Sequence, residues 1–335
     1  MLNILIIGVG TIGGYHLQSL SGLLESSNIY LYDTNKNSIS KALNRLNESL
    51  TKKSKNQTLN PFVLNSLDEL PNLIDFCIIA TDSRSRKDTV INLIRKKNVK
   101  IKYMILEKFL FPKIDDYSIV STEIEKYKTK IYVNEWMSSS YIFRRMSQFL
   151  NIENTYDPIE MRVEGAKWGL ECNAVHYIDY FHYLTNRSDL KIKESNITEH
   201  SPSKRYGYIE FFGEIIVSSD NSCNLIMCSK KVGDESNVKV SLLKGDAQID
   251  CIMWNNAQID IIYKFKDIIT LEHMKIPFQS EITREIIHNA IAYDAVNLPT
   301  LKEATLHHLL VCESLKKYCN ENIPDFDQIQ EFPIT

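Results

Sequence analysis

The chain has 335 residues, of which 44% are hydrophobic and 24% charged, with a formal net charge of -3. That length is too great for one compact core and suits two domains. With 39 Lys+Arg against 42 Asp+Glu there is no electrostatic case for binding nucleic acid or an anionic membrane. No run reaches the ~18 apolar residues of a membrane span, and the apolar opening lacks the basic flank and small-residue cleavage site of a signal peptide. Seven cysteines, an odd number without a Cys-x-x-Cys pair, fit reduced thiols and a cytoplasmic location.

Over residues 1–136, short apolar runs alternate with helical patterns, as in parallel strands joined by crossover helices. Strands are expected at 2–7, 28–33, 75–81 and 101–106, with weaker ones at 62–65 and 131–134, and a helix from Thr11. Residues 52–60, rich in Asn, Lys and Ser, read as a solvated connection. Residues 137–335 change rhythm. A helix is expected at 139–150, a strand near 159–165 and a helix starting near Asn173, which would serve as its N-cap. Strands alone follow to about Met274, with hairpin turns at Phe212-Gly213, Gly233-Asp234 and Lys244-Gly245-Asp246. Helices at 281–296 and 301–318 close the chain. The expected fold is α/β: an N-terminal doubly wound parallel (Rossmann) sheet, then a C-terminal α+β domain with a large, mostly antiparallel sheet. Apolar residues on both strand faces (Tyr208, Ile209, Phe211, Phe212; Cys251, Ile252, Met253, Trp254) point to a homodimer or homotetramer formed through that sheet, over the alternative of a fold-back within the chain.

Gly8-Val9-Gly10-Thr11-Ile12-Gly13 follows a strand and opens a helix. In a G-x-G-x-x-G turn the glycines allow a tight bend, approach of a pyrophosphate and close helix–strand packing, while the helix N-terminus faces the phosphates. About 20 residues past Gly13, Asp33 stands where an acid accepts the ribose hydroxyls. A carboxylate there repels a 2′-phosphate and no Arg follows it, so NAD is favoured over NADP. Thr81 and Asp82 after the fourth strand, and Glu107-Lys108 after the fifth, lie at strand ends where such sheets bind ligands. His176 and Asp179, three residues apart, share a helical face. Arg84-x-Arg86 and Arg144-Arg145 read either as phosphate contacts or as solvated faces. No metal site is expected: Cys223 and Cys228 have no neighbouring His, and His182 and His307-His308 lack spaced partners and read as helix surface or core.

Together these motifs resemble the glucose–fructose oxidoreductase/inositol dehydrogenase (Gfo/Idh/MocA) family of oxidoreductases. The glycine fingerprint carries the family's trailing histidine at His16, and Glu107-Lys108 matches its Glu-Lys-Pro motif. Val133-Asn134 falls at its Asn before the interdomain helix, His176-x-x-Asp179 matches its substrate-domain helix, and residues 298–304 look like the lead into its last helix. The resemblance implies hydride transfer between a nicotinamide and a sugar or nucleotide-sugar carbinol. Lys108 would contact the reacting hydroxyl and His176 would act as acid/base, with Asn173 and Asp179 beside it and Glu107 and Asn134 at the cofactor. Subgroups with a similar Trp168-Gly169-Leu170 run imply a role in surface polysaccharide synthesis. Three residues depart from the family: Phe109 replaces its proline, Cys172 its relay aspartate and Trp136 its arginine. Cys172 and Phe109 support the alternative of a dinucleotide-binding sensor or scaffold without catalysis.

Overall fold

A computed structural model describes residues 1–51, 58–151, 157–220 and 222–335. In chain order the elements are β1 (Leu2–Ile7), α1 (Thr11–Ser19), β2 (Ser27–Tyr32), α2 (Lys36–Leu50), β3 (Leu59–Val63), β4 (Leu73–Ile79), α3 (Ser83–Ile94), β5 (Lys100–Leu106), α4 (Ile114–Ile124) and β6 (Lys130–Val133). There follow α5 (Tyr141–Leu150), β7 (Glu160–Ala166), α6 (Leu170–Thr185), β8 (Lys191–Pro202), β9 (Ile209–Ser218), β10 (Asn224–Lys230), β11 (Asn237–Lys244), β12 (Ala247–Trp254), β13 (Gln258–Phe265) and β14 (Ile268–Lys275). The chain ends with α7 (Gln279–Tyr293), α8 (Leu301–Asn322) and α9 (Phe326–Ile329). Among the described residues no helix is long and apolar enough to cross a membrane.

Two compact units result. The first comprises residues 1–134, 277–303 and 335, the second 135–276 and 304–334. The division is therefore not one cut near residue 136, because the segment 277–303 returns to the first unit. There Ile282, Ile286 and Ile287 of α7 are buried, Arg284 N donates to Ser19 Oγ at 3.0 Å, and Val133 N donates to Pro299 O at 3.0 Å. Lys130 Nζ pairs with Asp294 at 3.0 Å, and Tyr103 OH donates to the same carboxylate.

The first unit holds a six-stranded parallel sheet in the order β3-β2-β1-β4-β5-β6. Ile4–Ile7 of β1 and Phe76–Ile79 of β4 are almost wholly buried. This is the continuous apolar pattern of strands covered on both faces. The order reverses between β1 and β4, the switch point beside which such sheets bind ligands. Expected and observed strands differ mainly at their ends. β4 stops at Ile79, leaving Thr81 and Asp82 to form a loop and cap α3, and β6 stops at Val133. Of the connection read over 52–60, residues 52–57 lie outside the described residues, and Leu59 and Asn60 already belong to β3.

The second unit holds an eight-stranded sheet in the order β14-β13-β12-β11-β7-β10-β9-β8, antiparallel except for β7 with β10. Val163, Leu225, Met227, Val240, Ile249, Cys251 and Ile261 are buried on one face. The other face mixes Arg162, Asp250 and Lys264 with exposed Leu243, Ile269 and Leu271. Two expected hairpins are corrected. Gly213 lies inside β9 at φ +139°, where a Cβ would stand 2.2 Å from Asn196 O, so this glycine marks a close strand approach and not a turn. The 233–234 bend joins β10 to β11, which flank β7 on opposite sides, so it is a crossover. Lys244-Gly245-Asp246 does close the β11–β12 hairpin. The chain itself covers Phe211 and Phe212, both buried, and Phe211 meets the Tyr318 ring of α8 edge-on at 6.0 Å. At that strand the fold-back reading holds.

Candidate active site

The glycine turn is built as the motif requires. Gly8 has φ +82°, and a Cβ on it would come within 2.7 Å of the Ala80 and Thr81 backbone. A Cβ on Gly13 would stand 1.9 Å from Gly8 O, so α1 can start against β1 only without one. A Cβ on Gly10 would meet nothing within 4 Å, which leaves space above the turn. Thr11 and Ile12 follow at the start of α1, exposed, where the first N–H groups of a helix have no partner within it. Asp33, just past β2, accepts Val9 N at 2.6 Å through Oδ2 and Asn35 N at 2.7 Å through Oδ1. These bonds orient the carboxylate beside the glycine turn. Thr81 Oγ1 is buried without a hydrogen-bond partner, and Asp82 caps α3 by accepting Ser85 N at 2.9 Å.

Beneath this cradle lies a buried polar ring. His16 Nε2 donates to Glu107 Oε1 at 2.8 Å, and His16 Nδ1 lies 2.8 Å from the Thr283 hydroxyl. Asn134 Nδ2 donates to Glu107 Oε1 at 2.5 Å and to Gln279 Oε1 at 2.9 Å, and Gln279 Nε2 turns back to Thr283 Oγ1 at 3.2 Å. Burial pushes the Glu107 carboxyl up, but the bond and charge of His16, the bond from Asn134 and the Arg86 charge outweigh it and hold the group below its ordinary value. Asn134 Oδ1 remains buried without a partner. Lys108 follows Glu107 and is half-buried; the Lys108–Phe109 peptide is cis. Arg86 is neither a phosphate contact nor a solvated residue. It is buried, and its guanidinium donates to the carbonyls of Thr81, Phe109 and Leu110, joining the loops after β4 and β5.

In the second unit α6 begins at Leu170, three residues before the expected start. Asn173 is therefore inside the helix and not its cap; its Nδ2 donates to Trp168 O at 2.6 Å. His176, buried, falls in the second turn. The Trp136 ring stands 6.1 Å from the His176 ring. Asp179 does not hold the imidazole: its oxygens accept Ser138 N and Ser138 Oγ, each at 3.0 Å. Burial and the Glu135 charge push its carboxyl up to about 7, against His307 and Ser138. Arg144 Nε donates to Ser138 O at 2.9 Å and Arg145 pairs with Glu272. Sequence reasoning missed Thr283, Gln279 and the burial of Arg86. His16, Glu107 and Asn134, each at a family motif position, are the ring members the sequence pointed to.

The reversed strand order, glycine cradle and oriented Asp33 define a dinucleotide-binding Rossmann unit in a chain with a second sheet-forming unit. Residues 2–135 match the Gfo/Idh/MocA oxidoreductase family through its NAD-binding Rossmann fold. No curated protein matches the chain in sequence. Solved structures share its fold over nearly the full length. An oxidoreductase from Agrobacterium radiobacter in complex with NAD+, L-tartaric acid and magnesium has a TM-score of 0.70 at 12% identity, covering 96% of this chain and 97% of that one. The UDP-N-acetylglucosamine 3-dehydrogenase GnnA from Acidithiobacillus ferrooxidans has 0.67 at 11% identity, covering 93% and 96%. A super-repressor mutant of Gal80p from Saccharomyces cerevisiae has 0.66 at 13% identity, covering 96% of both.

Glu171, in the first turn of α6, is buried and accepts Phe211 N at 3.2 Å. Burial pushes its carboxyl up from 4.5 to about 7. Between those values the folded chain binds the proton that the unfolded chain releases, so stability falls as pH rises from about 4.5 to about 7 and is level above that. Glu171→Gln keeps an acceptor and removes the charge. Urea denaturation should find the variant equal to the parent near pH 4 and more stable at pH 8, by up to about 3 kcal/mol.

Proposed function

We propose that the chain is an NAD-dependent oxidoreductase acting on the secondary carbinol of a sugar, in the nucleotide-linked class. The observation that carries this reading is the cradle at Gly8–Gly13 with Asp33 held beside it. The residues present fit the dinucleotide: open space stands over Gly10, and Thr81 Oγ1 and Asn134 Oδ1 are buried polar atoms awaiting partners. Gly10, Thr11, Ile12 and Gly13 hold the pyrophosphate through backbone N–H groups, and Asp33 accepts the ribose hydroxyls. When bound, the nicotinamide supplies the hydride acceptor or donor. Glu107 serves as a positioning residue, fixing the loop that presents Lys108. Lys108 polarises the carbinol oxygen, and His176 takes or returns its proton. GnnA, by its name a dehydrogenase of a UDP-linked sugar, supports the substrate class, and a place in surface polysaccharide synthesis belongs to the same proposal.

Lys108→Ala should abolish turnover and leave NADH binding, followed by fluorescence, nearly unchanged; loss of both together would make Lys108 structural. Asp33→Asn should lower the preference for NADH over NADPH by about tenfold, which is ~1.4 kcal/mol, because the charge that repels a 2′-phosphate is gone. An unchanged ratio would place selectivity elsewhere. Pairing of copies through the open face of the eight-stranded sheet is part of this reading, and a monomer mass by light scattering would remove it.

A second reading is a dinucleotide-binding regulator without turnover. Cys172 at the relay position and Phe109 in place of the family's proline favour it, as does the fold shared with a Gal80p super-repressor. A panel of free and nucleotide-linked sugars, each tried with NAD and NADP, separates the two: any substrate-dependent change at the NADH absorbance band eliminates the regulator.

A further inference from the structure

The histidines that lacked partners in the sequence have them in the second unit. Glu135, His307 and His308 are fully buried, and Asp179 nearly so. His307 Nδ1 lies 2.6 Å from Glu135 Oε2, and its Nε2 lies 2.8 Å from His182 Nδ1. His308 Nδ1 lies 3.1 Å from Glu135 Oε1 and 2.8 Å from Ala304 O. One donor atom each from Glu135, Asp179 and His307 lies within 4.8 Å of the other two. These partners stand far apart in sequence, so no motif spacing could announce them.

Two carboxylates and an imidazole nitrogen that converge away from water carry a cost when ionised that either protons or a cation among them relieve. A proton on His307 Nδ1 serves Glu135 and leaves Asp179 with the neutral donors of Ser138. A divalent ion serves all three groups and cancels both carboxylate charges. We propose that Glu135, Asp179 and His307 bind one divalent transition-metal ion of the zinc class. Imidazole with carboxylate oxygen is a usual donor set for such an ion. The surrounding residues supply the outer contacts that orient metal ligands. His307 gives its Nδ1 lone pair to the metal and donates Nε2–H to His182. His308 Nδ1 is held by Ala304 O beside Glu135, and Ser138 fixes the Asp179 carboxylate. With metal–ligand distances of about 2.0–2.1 Å, donors around the ion stand roughly 3.3 Å apart. The His307–Glu135 contact therefore opens by somewhat less than ~1 Å on loading. Burial makes the ion one that enters as the chain folds and leaves slowly.

The test uses the full chain, unfolded and refolded with Zn2+ and then passed over chelating resin. Elemental analysis should find about one zinc per chain, and X-ray absorption should find only nitrogen and oxygen around it. Refolding with a chelator should lower the melting temperature by several degrees. Asp179→Asn and His307→Gln, with circular dichroism like the parent's, should each retain less than about a tenth of the metal, while Cys223→Ser retains it fully. Zinc well below one equivalent in the parent, sulfur among its neighbours, or full retention in both site variants would overturn the assignment. Should the site variants not fold, the parent's stoichiometry and ligand atoms decide it alone.

Discussion

A carboxylate sealed inside protein must be met by donors, and the first unit is organised around that requirement at Glu107. His16 comes from α1, Asn134 from the end of β6, and Gln279 and Thr283 from α7, each to place a polar atom in one closed circuit. Removing one member would strand a buried partner, a loss of about 1–3 kcal/mol. The circuit therefore fixes the start of α1, and with it the glycine turn, relative to the loop that carries Lys108. Local order at the proposed reacting group follows from satisfying a charge one residue away.

Arg86 repeats the principle with the opposite sign. Its buried guanidinium gathers carbonyls from the loops after β4 and β5. Those loops hold Thr81 on one side and Lys108 on the other. Thus the two strand ends nearest the switch point are tied by one side chain, and neither needs regular secondary structure to keep its shape.

Much of this was legible in the sequence, and what was not has identifiable causes. β1, β4 and β5 could be read because strands covered on both faces are continuous apolar runs, and Asp33 because its distance from Gly13 follows from strand and helix lengths. Strand ends slipped because Ala80, Thr81 and Asn134 look no different from the strand residues before them. Gly213 was mistaken for a turn because a glycine needed for close strand approach has the same letter as one needed for a bend. The start of α6 was misplaced because Asn173 has the chemistry of a cap, while the chain had already entered the helix at Leu170. Arg86 and Arg144 look solvated in a list of residues, since nothing local reports which carbonyls a guanidinium will reach. The return of 277–303 to the first unit, and the meeting of Glu135 with His307, join residues too remote for any periodicity to relate.

That return bears on how such chains can be recombined. The nucleotide-binding portion is not a detachable N-terminal cassette, for α7 completes its polar interior from the far end of the gene. A chimera made by one crossover near residue 136 would pair the His16 of one parent with the Thr283 and Gln279 positions of another. Exchange of cofactor specificity between relatives by module swapping is therefore constrained to two crossovers, or to parents that agree at those positions.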